Sequence, residues 1–291
     1  MTMNDRQHPI AVIGATGQQG SSVIEALLEQ QRAVRALVRD PESAGARALT
    51  ARGVEVVAAD QEDGGSLQRG LIDVSALFFM TTFAGSDGTE GEVRRGLTVA
   101  DAAARAGVPH VVYSSVGGAE RATGIPHFES KYEVERRLSD VVPVKFVRPT
   151  FFMENLAPQL ADAGSGELVL RLPVAGDVPL QMIAVRDVGA AAARLVIDPG
   201  AIDGDAVELG GDELTLTQVA ERTAEILGRP TRYEELPLEV LGDDEDLRAM
   251  FRWFGTVPAY QADFGLTRRL VPEVRDFASW VTALSGVRAS A

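Results

Sequence analysis

The segment Ile10-Ala11-Val12-Ile13-Gly14-Ala15-Thr16-Gly17-Gln18-Gln19-Gly20 decides the fold of this chain. Its first four residues are apolar and indicate a buried strand, and the apolar spacing over residues 21–31 indicates a helix. Glycines at such a junction let a phosphate approach the free N–H groups and the positive dipole end of the helix. The spacing is G-x-x-G-x-x-G, and its context predicts a dinucleotide pyrophosphate site rather than a plain tight turn. The residues assigned to this site are Gly14, Thr16, Gly17, Gln18, Gln19 and Gly20.

Strand and helix patterns alternate through the first half of the chain. Several strands are continuous apolar runs, as expected where both faces of a parallel sheet are covered. We predict strands at residues 10–13, 34–38, 54–59, 74–80, 110–115 and 144–147, and helices between them at 43–52, 66–71, 93–106 and 128–138. Such alternation gives an α/β fold with a doubly wound parallel Rossmann sheet, whose ligand crevice lies at the carboxyl ends of the strands.

The second half of the chain is less regular and predicts a smaller C-terminal α+β lobe. We assign residues 1–154 to the cofactor-binding Rossmann domain and residues 155–291 to the lobe, with about residues 184–210 returning to the Rossmann sheet. The expected elements of this half are a loop or hairpin at 164–177, a strand at 207–209, helices at 188–197 and 218–227 with N-caps at Asp187 and Thr217, and helices at 238–254 and 273–284.

The composition limits the class of protein and its partners. The chain has 291 residues, of which 45% are hydrophobic, a net charge of -14, three histidines and no cysteine. The negative charge disfavours direct binding to nucleic acid or an anionic membrane. The histidine and cysteine counts argue against a metal site. A polar N-terminal segment and the lack of a long apolar run predict a cytoplasmic protein that spans no membrane.

The end of the second predicted strand indicates which dinucleotide binds. An acidic residue there holds the ribose 2′-hydroxyl of NAD, whereas a guanidinium suits the 2′-phosphate of NADP. The residue here is Arg39, which favours NADP(H); Asp40 follows it and is predicted to cap the next helix. Asp60, after the third strand, lies near the adenine or forms a turn. Thr81 and Thr82, after the fourth strand, are predicted to line the cofactor path.

Further segments carry a resemblance to a known family. They are Arg35-Ala36-Leu37-Val38-Arg39-Asp40-Pro41, Val112-Tyr113-Ser114-Ser115-Val116-Gly117-Gly118, His127-Phe128-Glu129-Ser130-Lys131-Tyr132-Glu133-Val134-Glu135 and Val147-Arg148-Pro149-Thr150-Phe151-Phe152-Met153-Glu154-Asn155-Leu156. Together with the glycine segment they resemble the NmrA-like family of atypical short-chain dehydrogenase/reductase proteins, most strongly over residues 10–156. The resemblance implies a Rossmann fold with NADP(H). It implies either a sensor that regulates a partner protein or an NADPH-dependent reductase of quinones or dyes.

The resemblance also places a candidate catalytic site. The usual short-chain dehydrogenase site is Tyr-x-x-x-Lys with an upstream serine, in which the lysine binds the nicotinamide ribose and the tyrosine transfers a proton. Lys131 matches the lysine, and Ser114 and Ser115 match the serine region. His127 stands at the tyrosine position, on the same helix face as Lys131. His127 either donates a proton near neutral pH or fills the first turn of its helix.

The residues after the sixth strand are expected at the nicotinamide end of the crevice. Phe151 and Phe152 there either stack on a flat acceptor or join the two lobes. Glu154 and Asn155 follow them, and residues 250–254 are predicted to be helix core. The sequence favours an NADP(H)-responsive regulator with a protein partner, because a cofactor site is visible and a tyrosine donor is not. The alternative is an NADPH-dependent reductase of a quinone-like or small aromatic acceptor, since a quinone oxygen can take its proton from water.

Overall fold

The computed structural model describes residues 8–161 and 166–288. Its strands are β1 (Ile10–Ile13), β2 (Val34–Val38), β3 (Glu55–Ala58), β4 (Ala76–Met80), β5 (Val111–Ser114), β6 (Val144–Pro149), β7 (Phe151–Phe152), β8 (Leu168–Leu172), β9 (Pro179–Ile183), β10 (Ala206–Leu209), β11 (Asp212–Thr215) and β12 (Thr231–Glu235). Its helices are α1 (Gln18–Glu29), α2 (Ala44–Ala51), α3 (Gly64–Gly70), α4 (Gly88–Ala106), α5 (Pro126–Val141), α6 (Ala157–Leu160), α7 (Val185–Ile197), α8 (Leu216–Leu227), α9 (Glu245–Phe254), α10 (Phe264–Leu270) and α11 (Phe277–Arg288).

Seven parallel strands form the main sheet in the order β10-β6-β5-β4-β1-β2-β3. The strand β1 lies inside the sheet because all four of its residues are apolar and buried. Ile10 of β1 is opposite Val34 of β2 on one side and Ala76 of β4 on the other. The strand order reverses between β1 and β4, so the crevice beyond their carboxyl ends is the topological switch point. The predicted doubly wound parallel sheet is confirmed.

Helices cover both faces of the main sheet. On one face Val23 of α1 and Val188 of α7 belong to one buried cluster with the strands, to which α2 also contributes. On the other face Leu67 of α3, Val99 of α4 and Val134 of α5 belong to a second buried cluster. Burial from both sides explains why the strands are continuous apolar runs.

The main sheet is completed by a late part of the chain. Helix α7 packs against α1, and β10 adds to the edge of the sheet, where Val207 lies opposite Val147 of β6. Helix α10 packs against α7 and β10, and the other remaining elements form the smaller lobe around a third buried cluster, which includes Phe151, Leu216 and Trp280. The lobe contains a three-stranded sheet in the order β11-β9-β7 and a two-stranded sheet of β12 and β8.

Several local predictions in the second half are wrong. The segment 166–177, predicted as a loop or hairpin, contains β8, which runs parallel to the distant β12 and so forms no hairpin; residues 164 and 165 of the predicted segment lie outside the described residues. Asp187 does not cap its helix, since α7 begins at Val185 and the buried Asp187 carboxylate accepts the N–H of Arg275 at 2.8 Å. Contacts with residues distant in sequence determine the structure of these residues, and such contacts cannot be predicted from a local sequence pattern.

Three helix boundaries also differ from the predictions. Thr215, not Thr217, caps α8, in a capping box with Gln218. Ser43 caps α2 by accepting the N–H of Ala46 at 3.3 Å, whereas Asp40 accepts the N–H of Glu42 and so closes the preceding turn. The predicted helix at 238–254 is split into a single 3-10 turn at Leu238–Leu241 and α9.

Candidate functional site

The carboxyl ends of the parallel strands open onto two neighbouring cavities that share Met80 and Thr82. The cavity toward β2 and β3 has a volume of about 690 Å³, and the cavity toward β5 and β6 about 370 Å³. Each of the strands β1 to β6 is followed by a residue that lines one of the two cavities. In strand order these residues are Gly14, Arg39, Ala59, Thr81, Ser115 and Thr150. We call the two cavities the adenosine-side cavity and the acceptor-side cavity.

The glycine segment has the geometry of a phosphate cradle. Gly14 has φ +78, and a Cβ added to Gly20 would collide with the carbonyl oxygen of Gly14, so the loop folds tightly onto the first turn of α1. Gly17 is the N-cap residue of α1 and offers no side-chain cap to the N–H groups of the first turn. Free N–H groups at a helix N-terminus suit a pyrophosphate. The segment fits a dinucleotide on these grounds.

The adenosine-side cavity is lined by five of the predicted cofactor residues, which are Gly14, Thr16, Arg39, Asp60 and Thr82. Arg39 is exposed and makes no ion pair with any residue in the described part of the chain, so its guanidinium is available to a 2′-phosphate. Asp60 also accepts the N–H of Glu62 at 3.0 Å. Asp60 thus forms a turn at the rim of the cavity, and its place near the adenine stays a prediction.

The acceptor-side cavity is lined mainly by apolar and aromatic side chains. Most of these side chains come from the ends of β4, β5 and β6 in the main sheet and from α9 in the lobe. The aromatic lining residues are Phe83, Phe128, Phe151, Phe152, Phe254 and Tyr260. The predicted site residues Gln19, Thr81, Thr82, His127, Lys131 and Phe151 all line this cavity. A shallow apolar space of this kind suits a flat organic molecule.

Lys131 is held by a buried carboxylate. Its Nζ donates to Oε1 of Glu92 at 2.7 Å and to the carbonyl oxygen of Thr81 at 3.1 Å. The side chain of Glu92 has no exposed surface and accepts two more hydrogen bonds, from the hydroxyls of Thr81 and Ser130. An ammonium group has three N–H donors, so Lys131 keeps one for a ligand in the cavity. The pair also cancels the charge of the lysine.

Tyr113 extends this network behind the cavity. Its hydroxyl lies 2.7 Å from Oγ1 of Thr81. Because Thr81 donates its own proton to Glu92, Tyr113 must be the donor to Thr81. Burial, followed by the charge of Glu92, raises the pKa of the Tyr113 phenol well above its usual value. Tyr113 is fully buried and does not line the cavity, so it does not replace the missing active-site tyrosine.

His127 is paired with an aspartate from the lobe. Nδ1 of His127 lies 2.5 Å from Oδ2 of Asp246, and the backbone N–H of His127 donates to Oδ1 of the same carboxylate at 2.7 Å. The imidazole stacks on Phe83 with a centroid distance of 4.6 Å. Asp246 lies in the first turn of α9, so this pair joins the lobe to the N-terminus of α5.

The two serines of the predicted serine region differ in their contacts. Ser114 donates to Oε1 of Gln19 at 2.6 Å and so ties the glycine segment to β5. Ser115 lines the acceptor-side cavity, and its buried Oγ has no hydrogen-bond partner among the described residues. A buried hydroxyl without a partner is costly. A polar group of a bound cofactor or acceptor would give the Ser115 hydroxyl a hydrogen-bond partner.

The segment after β6 serves two purposes. Phe151, Phe152 and Asn155 line the cavity, and Phe151 also packs edge-on against Phe254 of the lobe. Glu154 instead accepts the N–H of Val185 and the indole N–H of Trp280, both at 3.0 Å, so the expectation that it faces the cavity is wrong. Burial raises the pKa of the Glu154 carboxyl. In the predicted helix core at 250–254, Met250 and Phe254 line the cavity as well.

Glu92 and Asp246 are the residues that sequence reasoning missed. Glu92 precedes the predicted helix start at residue 93, whereas α4 begins at Gly88 and places Glu92 on its buried face. Asp246 ends the run Asp243-Asp244-Glu245-Asp246, which has the composition of a solvated surface segment. Their partners lie 39 and 119 residues away in sequence, so no spacing pattern connects them.

Residues 8–161 and 166–288 contain no cluster of three or more side chains able to hold a metal ion. Over the same residues, none of the helices has the length and apolar character needed to cross a bilayer.

A parallel sheet with a glycine cradle at its switch point defines a dinucleotide-binding α/β protein. The sequence matches the model of the NmrA-like family over residues 6–281, and the chain belongs to that family. It is 37% identical over 238 residues to a (4-alkanoyl-5-oxo-2,5-dihydrofuran-3-yl)methyl phosphate reductase of Streptomyces griseus, covering 79% of this chain and 78% of the relative.

Solved structures share the fold over nearly the full length. The Escherichia coli NADPH-dependent quinone oxidoreductase, crystallised with NADPH, superposes with a TM-score of 0.77 at 27% identity and covers 96% of this chain and 99% of its own. NmrA, a negative transcriptional regulator crystallised with NAD, has a TM-score of 0.81 at 23% identity, covering 98% of this chain and 97% of its own. The likeness to NmrA shows the fold alone.

Proposed function

We propose that this protein is an NADPH-dependent reductase of a flat, electron-poor conjugated acceptor such as a quinone. The observation that carries the proposal is the acceptor-side cavity of about 370 Å³, lined by aromatic side chains and bordered by Lys131, His127 and the unpartnered hydroxyl of Ser115. A regulator needs a cofactor site but no acceptor site. We therefore place the reductase, which the sequence offered as the alternative, ahead of the regulator that the sequence favoured.

The chemistry of two relatives supports this class of acceptor. One is named a quinone oxidoreductase, and the name of the other describes an unsaturated ring that carries carbonyl groups. Both kinds of molecule can accept a hydride into a conjugated carbonyl system. In the overall reaction the acceptor gains a hydride and a proton, and NADPH becomes NADP+. When bound, the cofactor supplies the hydride.

The chain supplies binding, orientation and a proton. The glycine segment and Arg39 would hold the pyrophosphate and the 2′-phosphate, and the free N–H of Lys131 would bind the nicotinamide ribose. Phe151 and Phe152 would hold the flat acceptor against the cofactor. His127 would give a proton to the acceptor oxygen, and Ser115 would hydrogen-bond to that oxygen.

Filling the acceptor-side cavity tests the proposal. Leu247 of α9 lines the cavity, and a tryptophan there takes up the acceptor space without touching the cofactor cradle. We expect NADPH oxidation with naphthoquinone or a neutral azo dye in the wild type, and loss of most turnover but unchanged NADPH affinity in Leu247→Trp. Val240→Trp, at a side chain that is 53% exposed, is the matched control. A folded, NADPH-saturated wild type that reduces none of the acceptors would contradict the proposal.

A second candidate is the NADP(H)-responsive regulator. The observation in its favour is that Lys131 and His127 are both bound to carboxylates of the protein itself, Glu92 and Asp246. A regulator must distinguish NADP+ from NADPH. Amide hydrogen exchange with saturating amounts of each cofactor, in the absence of an acceptor, should then differ in α9. Identical exchange in the two complexes would argue against this role.

A further inference from the structure

Asp246 makes two contacts with one residue. One carboxylate oxygen accepts the backbone N–H of His127, a first-turn N–H of α5 that has no intrahelical partner, and the other accepts from Nδ1 of the ring. The side chains of Asp246 and His127 are only 15% and 8% exposed. An ionised carboxylate is an acceptor only, so Nδ1 carries a hydrogen.

The other ring nitrogen is left for the cavity. His127 lines the acceptor-side cavity, whereas Asp246 does not. Nε2 of His127 makes no hydrogen bond within residues 8–161 and 166–288, and the ring plane is fixed by stacking on Phe83 at 4.6 Å. Lys131, which lines the same cavity, sits one turn further along α5 and is bound to Glu92.

We infer that Asp246 is the positioning residue that makes His127 the proton donor of the site. This inference rests on the proposed reductase function. The carboxylate accepts the hydrogen bond from Nδ1–H, fixes the orientation of the ring and directs Nε2–H at the acceptor oxygen. When the acceptor takes the hydride, the Nε2–H bond breaks, the proton forms an O–H bond on the acceptor, and the neutral ring takes a new proton from water. The lobe thus contributes Asp246, which acts on the acceptor through His127 of the Rossmann domain.

Asp246→Asn separates this role from a purely structural one. The amide oxygen still accepts the backbone N–H of His127, so the cap on α5 is kept. The amide NH2 group can only donate, so it demands an unprotonated Nδ1 and disfavours the imidazolium. With naphthoquinone and an azo dye as acceptors, we expect kcat to fall about tenfold or more, while KM for NADPH stays within about twofold. Glu245→Gln, an exposed neighbour on α9, is the control and should keep wild-type kcat.

A double-mutant cycle tests whether Asp246 acts through His127. If it does, Asp246→Asn should cost no further activity in a His127→Gln background, whereas a separate structural effect would be additive. Wild-type kcat in Asp246→Asn, or additive losses in the double variant, would overturn the inference while the reductase function stands.

Nitrogen NMR of the histidine rings gives a readout that does not need turnover. The chain has three histidines, His8, His110 and His127, so the ring signals are assignable by substitution. We expect Nδ1 of His127 to be protonated in the wild type and unprotonated in Asp246→Asn. An unchanged Nδ1 signal would overturn the inference even if the protein reduced no acceptor, a result that would by itself reject the reductase function.

Discussion

Arg39 is the residue that we predict to distinguish two cofactors that differ by a single phosphate. It follows β2 at the edge of the sheet, lines the adenosine-side cavity and is exposed. Arg35, within β2, donates instead to the carboxylate of Glu55 and to the carbonyl oxygen of Gly70. Of the two arginines, Arg39 is therefore the one that can reach a ligand.

Replacing Arg39 with alanine should weaken NADP+ binding much more than NAD+ binding. A hydrogen bond to a charged group is worth about 1.5–3 kcal/mol, so Kd for NADP+ should rise about tenfold or more. Calorimetric titration with both cofactors measures this. Arg52→Ala removes an arginine that pairs with Glu25 at 2.7 Å outside the cavity and should change neither affinity. Equal losses for NADP+ and NAD+ in Arg39→Ala would reject the 2′-phosphate assignment.

At the level of single residues, the sequence predicted positions better than contacts. Gly14, Arg39 and Thr82 could be placed at the cavities because each directly follows a strand or borders a strand end, and parallel strands end at the same edge. The carboxylates of Glu92 and Asp246 could not, because a buried ion pair is defined by two distant elements meeting. The residues that hold Lys131 and His127 thus became visible only in three dimensions.

Helices α1 and α7 approach each other closely, and a glycine permits it. A Cβ added at Gly189 of α7 would lie 2.5 Å from Cβ of Ser22 and 2.6 Å from its backbone carbon. Backbone atoms of a packed helix cannot move aside as a flexible side chain does. The contact fixes the helix that directly follows the glycine segment.

Gly189→Ala should therefore destabilise the protein although alanine is the better helix former. Overpacking costs about 1–3 kcal/mol, which exceeds the gain of about 1 kcal/mol in helix propensity. The free energy of unfolding in urea measures the difference. Gly286→Ala in α11 is the matched control, since its added Cβ meets none of the described atoms within 4 Å, and it should be neutral or slightly stabilising. A neutral Gly189→Ala would show that the helices separate without cost.

Elements were predicted well where burial is uniform and poorly where contacts are distant. The predicted bounds of β1 and β2 agree with the structure, because burial on both faces of the sheet requires a run of mostly apolar residues. The start of α4 was placed five residues too late, because Gly88 and Gly91 are poor helix formers and tertiary packing overrides that preference. The strand β8 was missed because its partner, β12, lies far along the chain.

The charge of the whole molecule predicts that the proposed reductase discriminates against anionic acceptors. Its net charge is -14 with the histidines counted as neutral, and the side chains of Lys131 and His127, which line the acceptor-side cavity, each pair with a carboxylate of the protein. A phosphate or sulfonate on the acceptor would find no unpaired lysine, arginine or histidine among the described residues that line this cavity.

A sulfonated naphthoquinone should therefore be a poorer acceptor than naphthoquinone itself. At saturating NADPH and low salt, we expect its kcat/KM to be about tenfold lower, because a field of like charge slows association. The difference in kcat/KM between the two acceptors should become smaller at physiological ionic strength, where the screening length falls to about 8 Å. A preference for the sulfonated acceptor at low salt would reveal a cation in the acceptor path that the paired groups do not supply.

The return of β10 to the main sheet has a consequence for how this architecture can be recombined. Residues 185–209 run through α7 and β10, so the chain leaves the Rossmann domain, re-enters it and leaves again. A single crossover near residue 155 would pack α7 and β10 of one relative against α1 and β6 of the other. Exchange of the smaller lobe alone between relatives therefore needs junctions on both sides of α7 and β10, so that these two elements stay with the sheet that they complete.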